Sequence, residues 1–203
     1  HRENWIIPKV NMELVWIAAL GGWVGKYEVT NEQYRVFKPR HDSKKYEGFS
    51  LNKPGQPVVE VTYFDCIAFC RWLEKVLQIE GFLPDSFTFQ VPTKDQWQTF
   101  ARCGEERMYP WGNDWPPAYG NFGNQEVFPK DWRLNGYDGD KWPVTCPVDQ
   151  SGGSEWGLFG VSGNAWEWTR FAKGRMRAVF GGAWTEVDRR TLVIAPKGNL
   201  APS

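Results

Sequence analysis

Gly157-Leu158-Phe159-Gly160-Val161-Ser162-Gly163-Asn164-Ala165-Trp166-Glu167-Trp168-Thr169 is a glycine-rich loop that runs into an aromatic, β-prone segment. It predicts a strand over 165–170, followed by strands over 177–184 and 192–195. On its N-terminal side, residues 108–157 interleave aromatics, prolines, glycines and Asp/Asn without a sustained period. Such a long irregular stretch inside a domain stays ordered only through packing of its own side chains, cross-links or bound ions. Further upstream the pattern turns helical. Thr93 and Gln96 have capping-box spacing and open a helix that runs through Phe100 and Ala101 to a stop at Gly104. Ile67, Phe69, Cys70, Leu73, Val76 and Leu77 form an apolar stripe in a helix over 62–79, capped by Thr62 or Asp65. Thr30 and Gln33 repeat the capping-box spacing, with Tyr34 and Phe37 on one face. Strands are expected over 12–17 and 24–29, joined by a turn at Gly21-Gly22, and over 87–91. The charged, proline-bearing stretch 38–57 reads as a surface loop. Hairpin, helices, long loops and then strands again predict an α+β domain with a small sheet.

Composition sets the outer bounds. A length of 203 residues fits one domain, or two at most. Lys+Arg and Asp+Glu number 24 each, so the chain has no net charge and lacks the basic footprint of a nucleic-acid binder. Apolar residues at 41% and charged residues at 24% lie near globular averages and exclude disorder throughout. No window approaches the roughly 18 consecutive apolar residues of a membrane span, so none is expected. The first residue is His1, without Met and without a charged-then-apolar leader, which is expected of a trimmed signal peptide or a tag scar. The 13 tryptophans and 21 glycines point to length spent on turns and large rigid side chains rather than on long helices. The four cysteines, Cys66, Cys70, Cys103 and Cys146, allow three disulfide pairings. They form no CxxC pair, and the two histidines, His1 and His41, sit in no motif, which argues against a zinc site or a Cys/His nucleophile. Cys66 and Cys70 lie one helical turn apart and are expected to be small buried apolar residues.

Several segments together resemble the formylglycine-generating enzyme (sulfatase-modifying factor) family. They are 25–34 (GKYEVTNEQY), 58–72 with its V-x-V-T-Y-x-D-C-x-A-F-C-R-W pattern, 91–97 (VPTKDQW), 109–113 (YPWGN), the 157–169 run itself, and 179–184 (VFGGAW). The resemblance implies a C-type-lectin-like fold of that subtype: an α+β domain over 1–203 with two helices, small twisted antiparallel sheets and long ordered loops. In the family's enzymes a copper-binding cysteine pair lies just after the strand matching 179–184. Here 183–192 contains no cysteine, and Glu186 and Thr191 stand about where the thiols belong. Neither a carboxylate nor a hydroxyl replaces a soft thiolate pair for Cu(I), so neither copper nor oxidase activity is expected. Iron-dependent relatives need histidines that this chain lacks.

The variable proteins of diversity-generating retroelements share the family fold and are the nearer functional resemblance. After Trp184 the chain keeps a skeleton of G-G-x-W, L-x-x-A and P, with mixed residues between. Val193 stands where ordinary members carry Arg. The resemblance makes 180–203 the candidate variable segment, with Trp184, Glu186, Asp188, Arg189, Arg190, Val193, Pro196, Lys197 and Asn199 as contacts for a protein or other macromolecular ligand. On a strand, about half of these would face solvent together. Trp and Arg suit such a surface because they offer large area and planar donors. The resemblance also implies calcium in two loop sites. One comprises Asn121, the backbone of Phe122, Asp138 and the backbone of Asp140; the other comprises Glu167 with backbone oxygens of Gly163 and Ala165. Oxygen donors of this kind suit Ca²⁺, although Gly160 replaces an Asn that the enzymes use at the second site. The implied function is non-catalytic ligand display, at the cell surface or secreted, with room for a lipid anchor upstream. The alternatives are a formylglycine-generating oxidase acting on a sulfatase cysteine, or an accessory sensing domain of a larger protein.

Overall fold

In the computed structural model, residues 3–83, 86–123, 137, 141–173, 176–194 and 199–200 are described. Three helices start on a threonine: α1 (Asn31–Phe37), α2 (Tyr63–Ile79) and α3 (Lys94–Ala101). Thr30, Thr62 and Thr93 each accept from the backbone N–H three residues on. The side chains of Gln33, Asp65 and Gln96 each accept the threonine N–H in return. The N–H groups of the threonine and of the residue three on are thereby satisfied at each helix start. The family resemblance implied two helices. The third is present because the Thr30–Gln33 box can open even a seven-residue helix, which then buries Tyr34.

Two three-stranded sheets pack with these helices. The first is antiparallel, in the order β1 (Trp5–Ile7), β2 (Met12–Ile17), β3 (Gly22–Gly25). Ile7, Met12 and Leu14 pack there against Phe69, Leu73 and Leu77 of α2. β1 is three residues long, too short to show alternation in the sequence. β3 is shorter than the expected 24–29, because the chain turns to serve the decisive loop: the Lys26 carbonyl accepts from Phe159 N at 2.8 Å. The second sheet is antiparallel, in the order β6 (Glu167–Lys173), β7 (Met176–Phe180), β8 (Asn199–Leu200). Its Ala178 and Phe180 join Trp97, Phe100 and Ala101 of α3, together with Leu158 and Val161, in a second core.

Three expected strands come out differently. Residues 87–91 alternate as read, with Phe87 and Phe89 partly buried and Thr88 and Gln90 exposed, yet no strand pairs with them. The Phe89 N–H instead meets the Glu74 carboxylate at 2.8 Å. β7 stops at Phe180 because Gly181 and Gly182 take φ of +91° and +87°, outside the β region. Residues 189–191 form a 3-10 turn, with Asp188 accepting from Arg190 N, so 192–194 is not a strand. Ala195 lies outside the described residues. The loop 38–57 carries a small hairpin, β4 (Lys45–Tyr46) with β5 (Phe49–Ser50), and is tied down by the buried Asn31 amide. In 108–123 the aromatics order the chain, Tyr109 stacking on Trp111 at 4.6 Å and 3°. Among the described residues no helix is long and apolar enough to cross a membrane.

Candidate functional site

The segment after β7 is held by three apolar anchors, each in a different cluster. Trp184 packs with Leu51 and Val144. Leu192 packs with Tyr109, Phe122 and Tyr137, and Ile194 joins the α3 core. Backbone bonds reinforce the anchors: Trp184 N to Asn164 O (3.0 Å), Gly123 N to Glu186 O (2.9 Å) and Ile194 N to Met108 O (2.8 Å). Glycine suits position 182, because its φ is +87° and a Cβ there would lie 2.7 Å from Leu192 Cδ2. Between the anchors Thr185, Arg189 and Arg190 are exposed, and Glu186, Val187, Asp188 and Val193 are partly buried. The exposed residues follow a turn, so the two-residue alternation expected of a strand does not govern them. Arg190 and Asp188 pair on the surface, with Nη2 and Oδ2 2.6 Å apart. The Arg189 guanidinium lies 5.6 Å over the Trp115 ring.

Trp184 departs from its expected role. It is 8% exposed, and its ring meets Tyr46 edge-on at 5.1 Å. The indole therefore builds the floor, and Tyr46, 40% exposed, is the aromatic that solvent meets. Pro196 and Lys197 lie outside the described residues, and Asn199 is placed only by its backbone pairing with Ala178 in β8.

The two loop sites meet at Asn164, which sits at φ +63°. Its Oδ1 accepts from Asn121 Nδ2 (3.0 Å) and Cys146 N (2.8 Å), and its Nδ2 donates to Glu28 Oε2 (2.6 Å). Asn121 also donates to Val144 O at 2.9 Å, which fixes its amide and leaves Oδ1 buried with no hydrogen-bond partner among the described residues. A buried oxygen of this kind fits a Ca²⁺ ligand. Phe122, the backbone donor expected beside it, has a fully buried ring. Asp138 and Asp140 lie outside the described residues.

At the second site Glu167 Oε2 accepts from Trp97 Nε1, and the Gly163 N–H is used on Gly181 O (3.0 Å). The Ala165 N–H goes to Glu28 Oε1 at 3.0 Å. A Cβ on Gly160 would lie 2.6 Å from the Glu28 carboxyl carbon, so Glu28 fills the place from which the enzymes' Asn would project. Burial, and then the charge of Glu167, hold the Glu28 carboxyl well above its usual range. Burial pushes Glu167 up to about 7, against the Trp97 hydrogen bond that lowers it. Glu28 lies in the 25–34 motif, but the motif gave it no role, because its partners are 132–139 positions away in the chain.

The description "Sulfatase-modifying factor enzyme 1-like domain" matches residues 12–200. The chain belongs to this family. It is similar to the formylglycine-generating enzyme of Bos taurus, 30% identical over 120 residues that make up 59% of this chain and 28% of that protein. It is also similar to the inactive C-alpha-formylglycine-generating enzyme 2 of Bos taurus, 32% identical over 158 residues, 72% of this chain and 46% of that protein. The chain thus spans less than half the length of these curated relatives. Treponema denticola variable protein 1 superposes with a TM-score of 0.68 at 16% identity, covering 98% of this chain and 93% of that one. The fold is accordingly the C-type-lectin-like fold of the formylglycine-generating-enzyme subtype.

Relative to the family's enzymes, the place of the thiol pair has a different chemistry. Thr191 Oγ1 donates to Glu186 Oε2, so the two positions do come together. What they make is a hydroxyl donating to a carboxylate. Of the cysteines, Cys66 and Cys70 are partly buried on α2, with burial pushing their thiols up to about 12 and about 11, and Cys103 is buried at the end of α3.

Proposed function

We propose that this domain is a non-catalytic display protein, a variable protein of a diversity-generating retroelement. In this reading the surface between Trp184 and Val193 recognises a protein or other macromolecular ligand. The observation that carries the reading is the division of labour in 181–194. Trp184, Leu192 and Ile194 fasten the backbone into three clusters, and Thr185, Arg189 and Arg190 project between them with no structural duty beyond surface contacts. A backbone held independently of its exposed side chains tolerates exchange of those side chains, which combinatorial recognition requires. Tyr46 and Trp115 supply constant aromatic area beside the exchanged positions.

Calcium belongs to this reading as a clamp on the loops, held by Asn121 Oδ1 and the Phe122 backbone with Asp138 and Asp140. It orders a loop pair and takes part in no reaction. The domain works at the cell surface or in secretion, by the same analogy.

The test is genomic and biochemical. A reverse transcriptase and a near-repeat of the 180–203 coding segment are expected beside the gene; their absence overturns the retroelement assignment. Incubation of the copper-loaded protein with a sulfatase-motif cysteine peptide and oxygen is expected to leave the thiol unchanged by mass spectrometry. Conversion of that cysteine to an aldehyde overturns the non-catalytic reading.

A further inference from the structure

A cavity of about 520 Å³ lies between the first sheet, α2 and the 86–92 segment, remote in sequence from the display segment. Its size falls in the range of small-molecule sites, roughly 300–1,000 Å³. One wall is aromatic and continuous: Trp23 meets Trp5 at 5.6 Å and Phe87 at 5.0 Å, and Phe89 meets Trp5 at 6.3 Å. α2 supplies another, with Phe69 and Leu73 buried and Cys66 and Cys70 only partly so. Val24, Val58, Val61 and Trp168 also line the space and keep open surface. A close-packed core covers such side chains completely, so these walls have apolar area left to bury. One polar group differs from the rest. Tyr34 of α1 lines the cavity at 2% exposure, and its hydroxyl is buried with no hydrogen-bond partner among the described residues. Lys38, one turn further along, pairs with Asp65 instead. A buried hydroxyl left in this state is costly, and a ligand atom that reaches it removes the cost. No Lys, Arg or His lines the cavity among the described residues. Glu28 and Glu167 do, and Asn164, Ala165 and Trp97 already donate to them.

We propose that this cavity binds an uncharged aromatic molecule bearing one carbonyl, with its rings on the wall of Trp5, Trp23, Phe87 and Phe89 and its carbonyl accepting from the Tyr34 hydroxyl. The site is separate from the display surface and does not depend on the display role. A flat ring system makes the offset and edge-on contacts that four aromatic side chains offer, beyond the area it buries. A carbonyl is an acceptor only, and the phenolic O–H is the donor that matches it. A carboxylate of the same shape would give up its water for a space with no base to receive it, and is disfavoured.

The experiment uses the whole chain at pH 7.5 with prodan, a neutral naphthyl ketone whose emission moves to the blue when it leaves water. Saturable one-to-one binding is expected, with blue-shifted emission. In competition, acetylnaphthalene is expected to displace prodan at least tenfold more tightly than naphthoate does. Tyr34→Phe removes a hydroxyl that has no partner to lose, so the thermal midpoint of the parent is expected to hold. Its prodan affinity is expected to fall about fivefold, the effect of one hydrogen bond. Alkylation of the unmodified protein needs no variant to fold: prodan is expected to slow labelling of Cys66 and Cys70 at least fivefold and leave Cys103 unchanged. Arg189→Ser combined with Arg190→Ser is expected to leave prodan affinity unchanged, which separates the cavity from the display surface. No saturable binding, equal affinity for ketone and carboxylate, or undiminished labelling of Cys66 and Cys70 overturns the proposal. Full affinity in a folded Tyr34→Phe, or loss of binding in the double arginine variant, overturns it too. Tighter binding of naphthylmethylamine than of acetylnaphthalene assigns the cavity to a cation and likewise overturns it.

Discussion

Asn164 joins four parts of the molecule: its side-chain amide holds the Asn121 loop, the Cys146 segment and Glu28, and its backbone carbonyl holds Trp184. Asn164→Ala removes both acceptor and donor at a buried position and strands the Cys146 N–H and the Glu28 carboxyl. Each stranded group costs about 1–3 kcal/mol, and the expected loss is about 3 kcal/mol or more in urea unfolding; a loss under about 1 kcal/mol contradicts the assignment. Glu167 gives the pH dependence. Its carboxyl stands at about 7 when folded and near 4.5 when exposed, so between these values the native state holds a proton that the unfolded chain has released. Stability from this group is therefore present below about pH 4.5, is lost as pH rises to about 7, and is level above. Urea midpoints in EDTA are expected to fall between pH 5 and 7, and Glu167→Gln, which can still accept from Trp97, is expected to reduce that slope, with Glu28, also raised by burial, keeping the remainder. At this scale the sequence is least informative. Glycine spacing and the family motif single out 157–169, but neither contains the Glu28 contact, which exists only because β3 hands the chain across to Phe159.

Helix starts were legible because a capping box is local: the Thr30–Gln33 and Thr93–Gln96 boxes form as spaced, and at α2, where Thr62 or Asp65 was expected to cap, Thr62 is the cap and Asp65 its partner three residues on. Thr62→Ala is expected to cost about 1 kcal/mol, the usual value for a lost cap, as a lower chemical-denaturation midpoint with unchanged m-value. Strands were legible only in part. Residues 87–91 have the alternation of a strand, but pairing depends on what the neighbouring chain offers, and here it offers Glu74. Residues 192–194 alternate buried, partly buried, buried for a different reason, since Leu192 and Ile194 are pegs into separate clusters. Period alone cannot distinguish a peg from a pleat.

Across the whole molecule, apolar residues gather in clusters that the sequence does not delimit, and the C-terminal segment is tied to three of them. Replacement of pegs and of projecting residues should therefore behave in opposite ways. Leu192→Ala and Ile194→Ala are each expected to cost about 2–5 kcal/mol, as buried large-to-small changes do. Arg189→Ser and Arg190→Ser are expected to fall within about 0.5 kcal/mol of the parent in thermal unfolding, as exposed substitutions do. In the proposed display role, the absence of net charge leaves recognition to local side-chain mixture, with no net charge to steer the encounter. Thr185, Arg189, Arg190 and Val193 randomised together and displayed on yeast give the most direct measurement of the central claim. The account predicts that most members reach the surface folded, and that selection against an arbitrary protein target yields binders that differ only at those four positions. A library in which most members fail to fold, or from which no target draws a binder, contradicts it.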